Sequence, residues 1–229
     1  MNNIFWSLDQ ELQPELFMYF KKNVAVSAGS LAAIFHLSPF ESKMQYWRQK
    51  FMGIKPHDVW SVATEHGQAG EKECRDLMME RNIIGEIIRV GSKSHPDIPF
   101  GASPDGLVRS HDGVIKGLEI KCPMNDDKIP STVDEIWEFD KGHAVIQSVG
   151  GMEVFAVPAW YLVFYSRNTR SGSVFEVHRN EQFWSKIMIP EILEFMNRKT
   201  VPPRAKKNEK QKWMLLFRQN LKIQFINKF

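Results

Sequence analysis

The chain reads as an α/β protein: a central mixed sheet of about five strands flanked by helices. Three observations carry that expectation. Ala159–Ser166 (A-W-Y-L-V-F-Y-S) is an unbroken apolar run of strand length, the pattern of a strand buried on both faces. Phe100–Lys121 reads as two short strands, Phe100–Val108 and Val114–Lys121, around the small and acidic turn Arg109–Gly113. Segments of helical pattern, among them His57–Arg81 and Lys141–Phe155, alternate with these strands.

Taken in order, Leu8–Lys22 is expected to be a helix, or two interrupted at Pro14. Ser27 is the candidate N-cap of a helix from Ala28 to Leu37, which stops before Pro39. Glu41–Met52 is the next helix and His57–Arg81 a long one. Gly67 and Gly70 inside it each cost about 1 kcal/mol relative to Ala, which suits a close approach by another backbone or a nucleic-acid strand. Ile83–Gly91 should be a strand, leading through the loop Ser92–Pro99 into the two-strand stretch. Met124–Asp140 is polar and holds Pro130, so it reads as a loop with a short helix that covers what lies beneath. Lys141–Phe155 is helical in pattern but interrupted by Gly150-Gly151. Gly172–His178 alternates and should pair antiparallel with Ala159–Ser166. Glu181–Arg198 is an amphipathic helix containing Pro190. After the linker Thr200–Arg204, Lys210–Phe229 mixes a helix with a strand-like I-Q-F-I.

With 229 residues the chain can bury one well-cored domain. No run approaches the ~18 apolar residues of a membrane span, and no basic region precedes a long apolar core at the start. A soluble, intracellular protein without membrane partners is expected. Cys74 and Cys122 are too few for a disulfide framework or a four-cysteine cluster and fit a reducing compartment. The seven histidines show no zinc-ligand spacing. The net charge of +3 is uneven. From Arg198 onward ten lysines and arginines face Glu209 alone, +9, which leaves −6 for the first 197 residues. Residues 1–200 are therefore read as one domain and 201–229 as a basic extension. Arg204, Lys206 and Lys207 are its candidate contacts to a polyanion; a solubilising terminus would look the same on charge alone.

The chemistry concentrates in one stretch. Alternation along Val114–Lys121 puts Leu118 and Ile120 on one face and Glu119 and Lys121 on the other. A buried charge costs several kcal/mol unless it is paired or holds a metal. Asp105, in the tight Pro104-Asp105-Gly106 segment, is the natural third member. Asp105, Glu119 and the Ile120 carbonyl make an all-oxygen set suited to Mg²⁺, with Mn²⁺ expected to substitute. Lys121 would orient or deprotonate a water. The bland alternative is a hairpin with a surface Glu/Lys pair.

Ser103-Pro104-Asp105-Gly106 followed by Leu118-Glu119-Ile120-Lys121-Cys122-Pro123 resembles the active site of the PD-(D/E)xK nuclease superfamily. Within it, the pattern is more similar still to the lambda-type (alkaline) exonucleases and the YqaJ-like viral recombinases. Leu37-Ser38-Pro39-Phe40 with Trp47-Arg48 resembles the L-S-P-Y/F turn and W-R helix of the YqaJ-like family. The resemblance covers roughly residues 20–200 and implies a restriction-endonuclease-like fold. It implies further that Glu71, in G-x-x-x-E from Gly67, reaches the metal site and helps to hold a second ion. Gln147 matches the first glutamine of the family's Q-V-Q-like segment, while the second position is Val149; the implied role is at the catalytic water or scissile phosphate. Lys22 stands where the lambda-type enzymes carry an arginine that grips a 5′ phosphate. Val26-Ser27-Ala28 matches their I-T-A, but Gly29 replaces the next serine, so Lys22, Ser27 and Ser30 form the expected phosphate pocket. The implied activity is Mg²⁺-dependent 5′→3′ digestion of duplex DNA from its ends in viral recombination or genome processing. A homotrimer, a single-strand annealing partner and, for a viral protein, the host cytoplasm or nucleus are implied with it. An endonuclease or RNase on the same site, and a decayed nucleic-acid-binding protein, remain the alternatives.

Overall fold

A computed structural model describes residues 26–54, 62–124, 129–206 and 208–229. The helix expected at Leu8–Lys22, Lys22 itself and Lys207 lie outside the described residues. The strands are β1 (Val26–Ser27), β2 (Glu86–Ile88), β3 (Lys93–Ser94), β4 (Phe100–Ala102), β5 (Gly106–Arg109), β6 (Ile115–Lys121), β7 (Ala159–Ser166), β8 (Ser171–His178) and β9 (Ile223–Lys228). The helices are α1 (Leu31–Ile34), α2 (Lys43–Met52), α3 (Val62–Glu80), α4 (Val133–Phe139), α5 (His143–Phe155), α6 (Glu181–Phe183), α7 (Ile189–Asn197) and α8 (Glu209–Asn220).

Six strands form the main sheet in the order β2-β5-β6-β7-β8-β9. Only β6 and β7 run parallel; the other neighbours are antiparallel. The parallel pair needs a crossover, which α4 and α5 supply. One face of the sheet packs Trp160, Leu162, Phe164 and Phe175 in a core shared with α5, and the other packs Leu118, Ile120 and Val163 with Cys74, Leu77 and Met78 of α3. Both faces of β7 are thus buried, which its sequence demanded.

Several expectations change in detail. Phe100–Val108 is not one strand. β4 joins a small sheet of order β1-β4-β3, and only β5 enters the main sheet. Pro104 has no N–H to give a ladder, and the chain turns there. The segment expected as a helix from Ala28 to Leu37 is a 3₁₀ turn, Ala28–Ser30, followed by the four-residue α1, which the left-handed His36 (φ 58°) ends. α2 begins at Lys43 because Ser42 and Gln45 form a capping box. Only Glu86–Ile88 of the strand expected at Ile83–Gly91 pairs, since its partner β5 is itself short. Glu181–Arg198 contains a π-helical turn, Trp184–Met188, ahead of Pro190, whose missing N–H breaks the regular ladder. α5 runs unbroken through Gly150-Gly151. A Cβ on Gly150 would come within 2.6 Å of Leu31 and 2.8 Å of Phe100, and one on Gly151 would strike Trp160. These glycines let the helix lie close on the sheet rather than ending it. In the basic 201–229 stretch, Phe217 of α8 is fully buried and β9 completes the sheet against β8. Among the described residues no helix is long and apolar enough to cross a membrane.

Candidate active site

β6 is an inner strand of the sheet, so Glu119 and Lys121 stand at its carboxyl end rather than at a sheet edge. Glu119 is buried, with a side chain 5% exposed, and Lys121 is half-buried. The Lys121 ammonium donates to Glu119 Oε1 at 2.6 Å and to Gln147 Oε1 at 3.1 Å. Gln147 Nε2 donates to the same Glu119 oxygen at 2.6 Å, which closes a three-membered network between β6 and α5. Asp105 enters from the turn before β5. Its N–H donates to the Leu118 carbonyl at 3.1 Å, and its Oδ2 accepts from the Ile120 N–H at 2.6 Å. Its own carbonyl accepts from Arg75 Nη1 of α3 at 2.6 Å. Gly70 allows that helix to approach, since a Cβ there would sit 2.8 Å from Cys122 Sγ. The close neighbour is therefore protein, and no nucleic-acid strand is needed to explain this glycine.

The electrostatics follow from crowding. Burial pushes the Glu119 carboxyl up to about 8, Lys121 opposes the shift, and Asp105 and Glu71 add to it. Glu71 is pushed up to about 7 by burial and by Asp105. Asp105 is raised by burial against the pull of Lys121 and the Ile120 N–H. Burial alone would lower the Lys121 amine, but Glu119, Asp105 and Glu71 outweigh it and hold the group above its usual value. Fully ionised, three carboxylates face two cations, Lys121 and Arg75, so the cluster carries surplus negative charge. Among the described residues no three acid, imidazole or thiol groups are gathered into a ready-made cage. The donor chemistry nonetheless fits a hard divalent cation: carboxylate oxygens with excess charge, plus the Ile120 carbonyl.

Asp105, Glu119, Ile120, Lys121, Gln147 and Glu71 thus come together. Ser27 and Ser30 lie beside them, because Gly29 in the same 3₁₀ turn packs against Gln147. Their hydroxyls bond to each other at 3.0 Å, and Ser27 makes no side-chain cap. The four-residue α1 is too short to offer a bound anion the N-terminus of a full helix. Arg204 and Lys206 are exposed. Arg204 lines a separate cleft of about 310 Å³ with His36, Ser42, Lys43 and Gln45. Two contributors escaped sequence reasoning. Arg75 carried no signal beyond being a helix arginine. Asp140 Oδ2 accepts from the Ala144 N–H at 2.8 Å and fixes the start of α5, a cap that an acid just ahead of a helix could have suggested.

The sequence pattern of the YqaJ-like viral recombinase domain matches residues 17–142, more than half of the chain, and the site's Asp105, Glu119 and Lys121 fall inside that span. The chain belongs to the YqaJ-like viral recombinase family. The fold agrees. LHK-Exo, an alkaline exonuclease from Laribacter hongkongensis, superposes in its complex with dAMP at TM-score 0.56 and 20% identity, over 89% of this chain and 97% of that one. A phage related exonuclease from Haemophilus somnus 129PT superposes at TM-score 0.55 and 14% identity, over 85% and 95%. At such identities the likeness shows the fold, the restriction-endonuclease-like α/β arrangement. No curated protein matches the sequence significantly. Gln147 lies beyond the matched span of this YqaJ-like chain, on the helix that the fold lays across the end of β6.

Proposed function

We propose that this YqaJ-like protein is a Mg²⁺-dependent exonuclease that hydrolyses duplex DNA from its 5′ end, 5′→3′, in viral or phage-type recombination or genome processing. The observation that carries the reading is the convergence of Asp105, Glu119, Lys121, Gln147 and Glu71 at the carboxyl end of β6. The family, a viral recombinase domain, and the similar fold of LHK-Exo, an alkaline exonuclease, support the substrate class.

Asp105, Glu119 and the Ile120 carbonyl would hold one Mg²⁺, and Glu71 would help to hold a second. The bound ions supply charge to offset a phosphoryl group's developing negative charge and lower the pKa of a bound water. Lys121, paired with Glu119 and Gln147, would position or deprotonate the nucleophilic water and steady negative charge. Gln147, tied to both Glu119 and Lys121, fixes their side chains and offers its amide to the water or the phosphate. Lys22, Ser27 and Ser30 would receive a terminal 5′ phosphate. Arg204, Lys206 and Lys207 would add sequence-independent attraction to the DNA backbone. Assembly as a ring of three and an annealing partner belong to the same proposal and are checked by mass in solution and by co-purification.

Digestion of linear duplexes labelled at either end, with and without a 5′ phosphate, tests the reading. Label released first from 5′-phosphorylated ends in Mg²⁺, and no release in EDTA, is the expected result. Cutting of closed circles or RNA as fast as linear duplex would move the assignment to an endonuclease or RNase. Binding without any metal-dependent turnover would leave a nucleic-acid-binding protein.

A further inference from the structure

The turn between α1 and α2 presents an aromatic side chain that no packing explains. Phe40 is 83% exposed, more than any other large hydrophobic side chain among the described residues. The turn that carries it is fixed on both sides. Leu37 is fully buried, the Ser38 hydroxyl accepts from the N–H groups of Phe40 (3.1 Å) and Glu41 (3.2 Å), and Ser42 closes the capping box of α2. Such an arrangement holds the ring out rather than letting it collapse onto the protein.

Its one ring contact among the described residues points to the catalytic end of the molecule. Phe40 meets His143 edge-to-face, with centroids 5.6 Å apart at 88°, which leaves a face of the phenyl ring open. His143 lies four residues before Gln147 on α5, so the two share a helix face one turn apart, about 5–6 Å. Gln147 is hydrogen-bonded to Glu119 and Lys121. His143 also feels Lys121. Burial first, then that ammonium, lowers its pKa to about 4, so at neutral pH it meets Phe40 as an uncharged ring. The open phenyl face is thus linked to Glu119 and Lys121 through two residues of one helix face, His143 and Gln147.

We infer that Phe40 is a stacking platform for a nucleobase of the DNA strand that crosses the site. The inference rests on the nuclease reading and adds a contact to it. Every base has a π-face, so an aromatic ring beside a cleavage site holds a strand at a fixed distance from the cut without selecting sequence. A base stacked there sets which phosphodiester faces Glu119 and Lys121, which makes Phe40 a positioning residue.

The test pairs a protein variant with a lesion in the substrate. Cleavage efficiency is measured for the parent and for Phe40→Ala on ordinary duplexes and on duplexes carrying one abasic nucleotide at each of the first few positions from the cut bond. The parent is expected to lose about 5- to 150-fold at one abasic position, the range of a base–aromatic stack. Phe40→Ala should lose as much on ordinary duplex and nothing further from that abasic nucleotide, while Phe40→Trp keeps the parent's pattern. The melting temperature should stay unchanged, because the ring is exposed. Abasic and Phe40→Ala losses that multiply at every position would overturn the inference. So would parent-like cleavage by Phe40→Ala, or a change in its mass in solution, which would assign the ring to a contact between copies. The parent's rate on ordinary duplex scores the nuclease reading separately; a parent that cuts no duplex overturns both.

Discussion

Two lysines of β6, five residues apart and so on opposite faces, each meet a buried glutamate, and they do different work. Lys116 donates to Glu176 Oε2 at 2.9 Å and to the Tyr161 hydroxyl at 3.1 Å, with the Tyr161 ring 4.9 Å below. One buried cation faces one buried acid, with the exposed Asp112 3.5 Å from Lys116 and the His178 ring 3.7 Å from Glu176. Burial would lower the Lys116 pKa, but Glu176 and Tyr161 outweigh that and raise it. Lys121 instead stands among Asp105, Glu119 and Glu71, whose carboxyls are all pushed above their ordinary values. A balanced pair is a structural solution to burial. A surplus of carboxylates is costly by itself and makes sense where a further cation is to be held.

The largest effect that separates the two lysines should be on turnover. Glu119→Gln or Asp105→Asn is expected to slow cleavage on the order of 10³-fold, the several kcal/mol a bound metal supplies at a phosphoryl group. Lys116→Met should leave the rate constant of the folded protein nearly unchanged, as initial rates on end-labelled duplex will show; equal losses at both sites would erase the distinction. Stability should go the other way. Lys116→Met strands Glu176 in the sheet and should cost about 3–5 kcal/mol in urea unfolding, with Lys116→Met/Glu176→Leu recovering most of it. Glu119→Gln should stabilise the protein in EDTA at alkaline pH. With its pKa raised from 4.5 to about 8, Glu119 leaves the folded state holding more protons than the unfolded state between those values. Stability therefore falls as pH rises through that window, and glutamine keeps the neutral form. The smallest effect concerns His143, lowered from 6.5 to about 4. Here the unfolded state binds more protons, so its contribution is complete above about pH 6.5 and fades toward pH 4. His143→Gln should flatten the acid limb of the stability curve, and an unaltered limb would mean that other groups set it.

The sequence made β7 legible to the residue because burial on both faces leaves an unbroken apolar run bounded by polar neighbours. Asp105, Glu119 and Lys121 were legible because charges on an otherwise apolar alternating strand need partners. Glu71 and Gln147 came from family spacing, and the structure brings both to the same strand end. What stayed hidden depended on contacts distant in sequence. Nothing local tells that Phe100–Ala102 pairs with Val26–Ser27 while Gly106–Arg109 pairs with β6. Gly150 and Gly151 read as breaks, because the side chains that fill the space beside them, Leu31, Phe100 and Trp160, lie elsewhere in the chain. The strand in Ile223–Lys228 was visible only as I-Q-F-I within a basic stretch, and its place beside β8 was not.

The claim that the carboxylate surplus at β6 is a cation site is tested most directly by Mg²⁺-dependent stability at two pH values. At about pH 9 the carboxyls of Glu119 and Glu71 are ionised and ready to bind, whereas at about pH 6 an ion must first displace their protons. Saturating Mg²⁺ should therefore raise the melting temperature more at the higher pH, by the equivalent of about 2.7 kcal/mol at a hundredfold excess over Kd, and Glu119→Gln should lose most of that gain. An equal shift in the parent at both pH values, or a shift that survives Glu119→Gln, would contradict the account.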